Sequence, residues 1–236
     1  MLSRIQAVIV DLDGTMVDTL GDFEVALNRM LADFSLPRVD RAFIEATVGK
    51  GSEHLIRSTL AYVQNLKRTE PFAAIESTHN AIDSIAYEKA WQSYQSHYLA
   101  CNGEASEVYA GVLEGLQALQ ARGLKMACLT NKPLAFAKPL LKAKGLDGFF
   151  SHVFGGDSFD KKKPDPLPLL KTCEALGFSP PHTLMVGDSS NDAQAAHAAQ
   201  CPVVLMTYGY NHGHDIRATP ALAHLDSIQA IAALLV

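Results

Sequence analysis

The hydrophobic pattern of the chain takes two forms. Four short apolar runs, "QAVIV" at 6–10, "LKMACLT" at 124–130, "TLMVG" at 183–187 and "PVVLMT" at 202–207, are near-continuous rather than alternating. Strands of that kind are buried on both faces, as in a parallel sheet covered by helices. "HVFGG" at 152–156 is a weaker fifth candidate. Between the runs the period lengthens. Val112, Leu116 and Leu119 share one helical face before Gly123, and "LAFAKPLLKAKG" runs to a stop at Gly145. Alternating strands and helices predict an α/β fold, a doubly wound, mostly parallel Rossmann-like sheet.

Residues 19–100 break the alternation. Phe23, Ala26, Leu27, Met30, Leu31 and Phe34 keep to the 3.6-residue period, and Tyr87, Trp91, Tyr94 and Tyr98 recur at i, i+4, i+7 and i+11. Such an aromatic stripe reads as helix packing rather than as a cofactor or nucleic-acid surface. The pattern predicts an all-helical subdomain at 19–100, inserted into a catalytic core made of 1–18 and 101–236. Within it, "QNLKRTEPFAAIESTHN" at 64–80 reads as a connection.

Composition narrows the classes. The 236 residues are 48% hydrophobic and 19% charged, enough apolar content for a real core. A formal net charge of -5 argues against a nucleic-acid surface, which needs a concentrated basic face. The single basic run is "KKK" at 161–163. Cys101, Cys128, Cys173 and Cys201 are scattered without a C-x-x-C, so neither a disulfide framework nor a zinc ribbon is expected. No apolar run approaches a membrane span, and the apolar stretch before Asp11 is too short for a secretory signal. The expectation is a cytoplasmic protein, monomer or homodimer, without membrane or nucleic-acid partners.

Chemistry collects where the strands end. The first ends in Asp11 and Asp13, the second in "TNKP" at 130–133, and "TLMVG" runs into "GDSSND" at 187–192. Ligands of open α/β sheets bind beyond the carboxyl ends of strands, so these groups should converge. A pair of carboxylates 4 Å apart repels by about 1 kcal/mol in water and about 4 kcal/mol at an effective dielectric of 20. Asp11, Asp13, Asp188 and Asp192 together therefore call for a hard cation, Mg²⁺ first among them. Thr130 offers a hydroxyl, Asn131 and its neighbours offer backbone N–H groups, and Pro133 suits the first turn of a helix whose N-terminus favours an anion. A lysine of "KKKP" is a second counter-charge, though spacing does not choose among the three. These parts suit phosphoryl transfer: Asp11 as nucleophile forms an aspartyl phosphate, and Asp13 protonates the leaving oxygen and then activates water.

"DLDGT" at 11–15, "TN" at 130–131, "KP" at 163–164 and "GDSSND" at 187–192, in that order, resemble the four motifs of the haloacid dehalogenase superfamily. The resemblance implies that Asp11 is nucleophile and Mg²⁺ ligand, and that Asp13 is an acid/base binding Mg²⁺ through its backbone carbonyl. It implies that Thr130 and Lys163 hold the phosphoryl group, and that Asp188 completes the metal site with Asp192 close behind. It also implies that the insert is a cap. "VGKGSEHLIRSTL" at 48–60, "KKPDPLPLL" at 162–170, "VGDSSNDAQAAHAA" at 186–199 and "TYGYN" at 207–211 further resemble the bacterial phosphoglycolate phosphatase branch. The chain departs from that branch at Val10, Ala110 and Gln200. A small phosphorylated metabolite, 2-phosphoglycolate first, is then the expected substrate. A sugar phosphomutase, a phosphatase for another small metabolite and, from a different class, a phospho-accepting receiver module stand as alternatives.

Some residues keep two readings. Asp192 is either part of the metal sphere or a first-turn acid favoured by the helix dipole. "VGKGS" at 48–52 is either a helix-to-helix turn or a lid that brings Gly49 and Lys50 to the substrate. "HGH" at 212–214, without ligand partners at suitable spacing, reads as a surface loop.

Overall fold

The computed structural model describes residues 4–67 and 87–235. Its central strand β1 (Ala7–Val10) is followed by a ribbon strand β2 (Val17–Asp18), helices α1 (Leu20–Asp33), α2 (Arg41–Thr47), α3 (Ser52–Lys67) and α4 (Tyr87–Cys101), and a second ribbon strand β3 (Glu107–Val108). Strand–helix alternation then resumes with α5 (Val112–Ala121), β4 (Lys125–Leu129), α6 (Leu134–Ala143), β5 (His152–Phe154), α7 (Leu167–Leu176), β6 (Thr183–Gly187), α8 (Ser190–Ala199), β7 (Val203–Met206) and β8 (Ala223–Leu225).

Six of these strands form one parallel sheet ordered β5-β4-β1-β6-β7-β8. Side chains alternate across it. Val8 and Val10 enter a cluster with Leu116 of α5 and Leu140 of α6, while Ala7 and Ile9 face Leu169 of α7 and Ala195 of α8. Helices cover both faces, which is why the strands are continuously apolar. Val10 pairs with both Cys128 and Val186, so β1, β4 and β6 end abreast and deliver Asp11, Thr130 and Asp188 to one edge.

The helices between β2 and β3 own a separate cluster. Leu27, Met30 and Leu31 of α1, Ile44 of α2, Ile56 and Val63 of α3, and Tyr94 and Tyr98 of α4 are fully buried in it. Burying a large apolar side chain stabilises by about 1.5–3 kcal/mol, so this packing holds the four helices together. The Tyr98 ring reaches Phe136 of α6 at 4.8 Å, which ties the helical cluster to the sheet's covering layer.

Where the chain leaves for these helices and returns from them, β2 and β3 pair antiparallel. Just beyond, the buried Asp22 carboxylate accepts from the backbone N–H groups of Gly103 and Ala105, each at 2.8 Å.

Two details differ from the sequence reading. Helix α3 runs through Lys67, so residues 64–67 are helical rather than connecting; 68–80 lie outside the described residues. Strand β8 was not foreseen: three half-buried residues at a sheet edge carry too short a pattern to register.

Candidate active site

The "DLDGT" turn reverses the chain at the tip of β1. Leu12, fully buried, accepts from the N–H groups of Met16 and Val17, and Gly14 donates back to Val17. Gly14 has φ +81, and a Cβ there would stand 2.2 Å from an Asp188 oxygen. Only glycine meets both demands. Thr15 then donates to Asp188 Oδ1 at 2.5 Å, while Asp188 Oδ2 accepts from the Tyr210 N–H at 2.6 Å.

Asp11, Asp188 and Asp192 come together, each offering an oxygen within 4.8 Å of the others. Asp11 Oδ1 lies 3.0 Å from Lys163 Nζ, an ion pair inside the site. Burial pushes the Asp11 carboxyl from its ordinary 3.8 up to about 7, against the pull of Lys163. Burial, helped by the charges of Asp192 and Asp11, also raises Asp188 well above the carboxylate range, despite the bonds from Thr15 and Tyr210. Three carboxylates so close together, with a single lysine among them, fit a hard dication; Mg²⁺ would be held by Asp11 and Asp188.

Asp192 has other obligations. Its Oδ2 accepts from Ser189 Oγ at 2.6 Å and from the Ser189 and Asp188 N–H groups, closing a capping box at the start of α8. Its Oδ1 accepts from Lys163 Nζ at 2.7 Å. Burial works to lower the Lys163 ammonium, but Asp11 and Asp192 outweigh it and hold it above its ordinary value. Of the three adjacent lysines, Lys163 is buried at the acids, while Lys161 and Lys162 are exposed.

The Asp13 carboxylate turns away from this cluster. Its Oδ1 accepts from Thr19 Oγ1 at 2.8 Å and from Lys132 Nζ at 2.7 Å. Lys132 is a residue the sequence reading passed over. It lies inside the quoted "TNKP", but nothing in a four-residue string announces a lysine buried to 4% exposure. Its ammonium stands 4.4 Å from the Phe23 ring centroid and 4.7 Å from that of Tyr98, within cation–π range.

Thr130 Oγ1 accepts from the Lys132 N–H, and the Asn131 side chain is fully engaged in bridging. It exchanges hydrogen bonds with the Lys163 backbone and donates to the Gly49 carbonyl at 3.0 Å. Asn191 also donates to that carbonyl, at 3.3 Å. Gly49 thus meets the core through its backbone, whereas Lys50 is exposed, at a groove shared with His54, Arg57 and Lys162. His212 of "HGH" sits in a turn as expected, half-buried, with its ring against Asn191. Between core and helices lies a cavity of about 30 Å³, floored by Asp11, Asp13, Thr130 and Lys132 and roofed by Phe23, Val48 and Leu55.

Strand-tip carboxylates, a lysine among them and a roof of inserted helices define a hydrolase of the α/β type. The family model of haloacid dehalogenase-like hydrolases matches residues 5–200, and the chain belongs to that family. It is 40% identical over 232 residues to a phosphoglycolate phosphatase of Thiobacillus denitrificans, covering 98% of this chain and 96% of that one. A plasmid-borne phosphoglycolate phosphatase of Cupriavidus necator is 38% identical, with 97% and 92% covered. The crystal structure of a protein from Haemophilus somnus, described as a predicted phosphoglycolate phosphatase, superposes with a TM-score of 0.88 at 31% identity, covering 98% of both chains. Among the described residues no helix is long and apolar enough to cross a membrane, and all four cysteines are free thiols.

Proposed function

We propose that the chain is a Mg²⁺-dependent phosphomonoesterase that hydrolyses 2-phosphoglycolate to glycolate and phosphate, with residues 19–100 as a cap over a core of 1–18 and 101–236. The carrying observation is Asp11, a carboxylate at the tip of the central strand that lines the cavity, with the Lys163 ammonium 3.0 Å from Oδ1 and Asp188 and Asp192 beside it. Near-full-length likeness to phosphoglycolate phosphatases supports the substrate.

In this reading Asp11 attacks phosphorus, the bond to the bridging oxygen breaks, and Asp13 delivers a proton to that oxygen. Asp13 then takes a proton from the water that cleaves the aspartyl phosphate and releases inorganic phosphate. Thr130 and Lys163 face the phosphoryl oxygens, and the backbone beside Asn131 orients them. Mg²⁺, when bound, supplies the remaining neutralisation of phosphoryl charge. Asp188 and Asp11 are the side-chain ligands, the Asp13 carbonyl a third, and Asp192 steadies both Lys163 and the Asp188 turn. Gly49 and Lys50 belong to the roof that excludes water.

The test is phosphate release from a panel of phosphomonoesters with Mg²⁺. Turnover of 2-phosphoglycolate should exceed that of the others, and Asp11→Asn should lower it by at least about 10⁴-fold with the fold intact. Isomerised sugar phosphate in place of free phosphate would favour the mutase alternative.

A further inference from the structure

The polar or charged side chains lining the cavity are Asp11, Asp13, Ser52, Thr130, Asn131 and Lys132. A buried ammonium normally saturates its donors, because desolvating a charge is costly unless it is paired and hydrogen-bonded. Lys163 does so, with Leu129 O, Asp192 and Asp11 around it. Lys132 does not. Its side chain is 1% exposed, yet among the described residues Asp13 Oδ1 is the one oxygen that accepts from it, and the rings of Phe23 and Tyr98 lie against it. An ammonium has three donors. The Tyr98 ring stands 4.7 Å from that ammonium; its hydroxyl is buried without a hydrogen-bond partner among the described residues, and burial first, then the Asp13 charge, raises it.

We infer that Lys132 is the receptor for a carboxylate at the far end of the substrate, and so a specificity residue of the site. The inference rests on the proposed reading of Asp13 as the acid that meets the bridging oxygen. In 2-phosphoglycolate one methylene separates that oxygen from the carboxylate carbon. A group that touches Asp13 at 2.7 Å therefore stands where the carboxylate arrives. The aromatic walls exclude water, which strengthens the ion pair and leaves a neutral or cationic end group without compensation.

The experiment is a double cycle in substrate and enzyme. The wild type is assayed by phosphate release on 2-phosphoglycolate and on its neutral amide, which has nearly the same size and the same phosphate. Loss of a charged hydrogen-bonding partner predicts a kcat/KM about 100-fold lower for the amide. In Lys132→Met both substrates slow, because Asp13 loses its neighbour, but the ratio between them collapses to within about threefold. Equal kcat/KM for acid and amide in the wild type overturns the inference without any variant. A ratio that survives Lys132→Met overturns it as well and leaves Lys132 a positioning residue for Asp13. Both results leave the phosphatase reading standing, whereas absence of phosphate release from any ester by the wild type defeats that reading itself.

Discussion

Two buried lysines serve the site, Lys132 in the lining of the cavity and Lys163 beside Asp11, and each holds a carboxylate at 2.7 Å. Around Lys163 everything else is oxygen: a backbone carbonyl and a second acid. Around Lys132 the remainder is aromatic. The first ammonium is saturated by the protein and neutralises permanent charge, while the second is left partly unsatisfied, as suits a group that meets a ligand. The lesson is that burial and ion pairing do not by themselves assign a role; what fills the rest of the coordination shell does.

Replacing each lysine in turn breaks the comparison most sharply. Lys163→Met leaves Asp11 and Asp192 facing one another without a cation, and should cost about 3–5 kcal/mol of stability and at least about 10³-fold in turnover. Chemical denaturation and phosphate release measure the two. Lys132→Met strands only Asp13, which is 10% exposed and keeps its bond from Thr19, so the stability loss should be smaller, about 1–3 kcal/mol. A Lys132 variant less stable than its Lys163 counterpart would reverse the assignment.

The carboxylates sharpen the contrast through pH. Asp11 is raised from 3.8 to about 7 by folding, so the folded state binds the extra proton between those values. Stability from this group therefore falls as pH rises from about 4 to about 7. Asp11→Asn removes the dependence. In metal-free buffer its stability relative to the wild type should climb across that window, by an amount on the order of 1 kcal/mol or more, and level off above it. Thermal melts at stepped pH check this; a flat difference would place the strain elsewhere. Mg²⁺, which binds the ionised acids, should stabilise the wild type more at pH 8 than at pH 5.

The smallest effect lies outside both lysine environments. Gln200, where the chain departs from its resembling branch, closes α8 at φ 61. That left-handed position favours glycine, so Gln200→Gly should raise stability by up to about 1 kcal/mol without changing kinetics.

The strands and their acidic tips were legible because backbone periodicity and parallel topology place them without help from distant side chains. Val8 to Val10 announced a strand covered on both faces, and Asp11 and Asp188 followed from where strands end. The selection of Lys163 over Lys161 and Lys162 came only through resemblance, since it depends on which side chain turns inward. Lys132 was invisible for the opposite reason. Its environment is assembled from Asp13, Phe23 and Tyr98, three segments far apart in the chain. His212 against Asn191 is of the same kind.

The Asp22 carboxylate, which grips the N–H groups of Gly103 and Ala105 just past the β2–β3 ribbon, fastens the outgoing and returning chains to each other. Phe23 follows Asp22 directly, so the same grip fixes the start of α1 and with it the ring that stands 4.4 Å from the Lys132 ammonium.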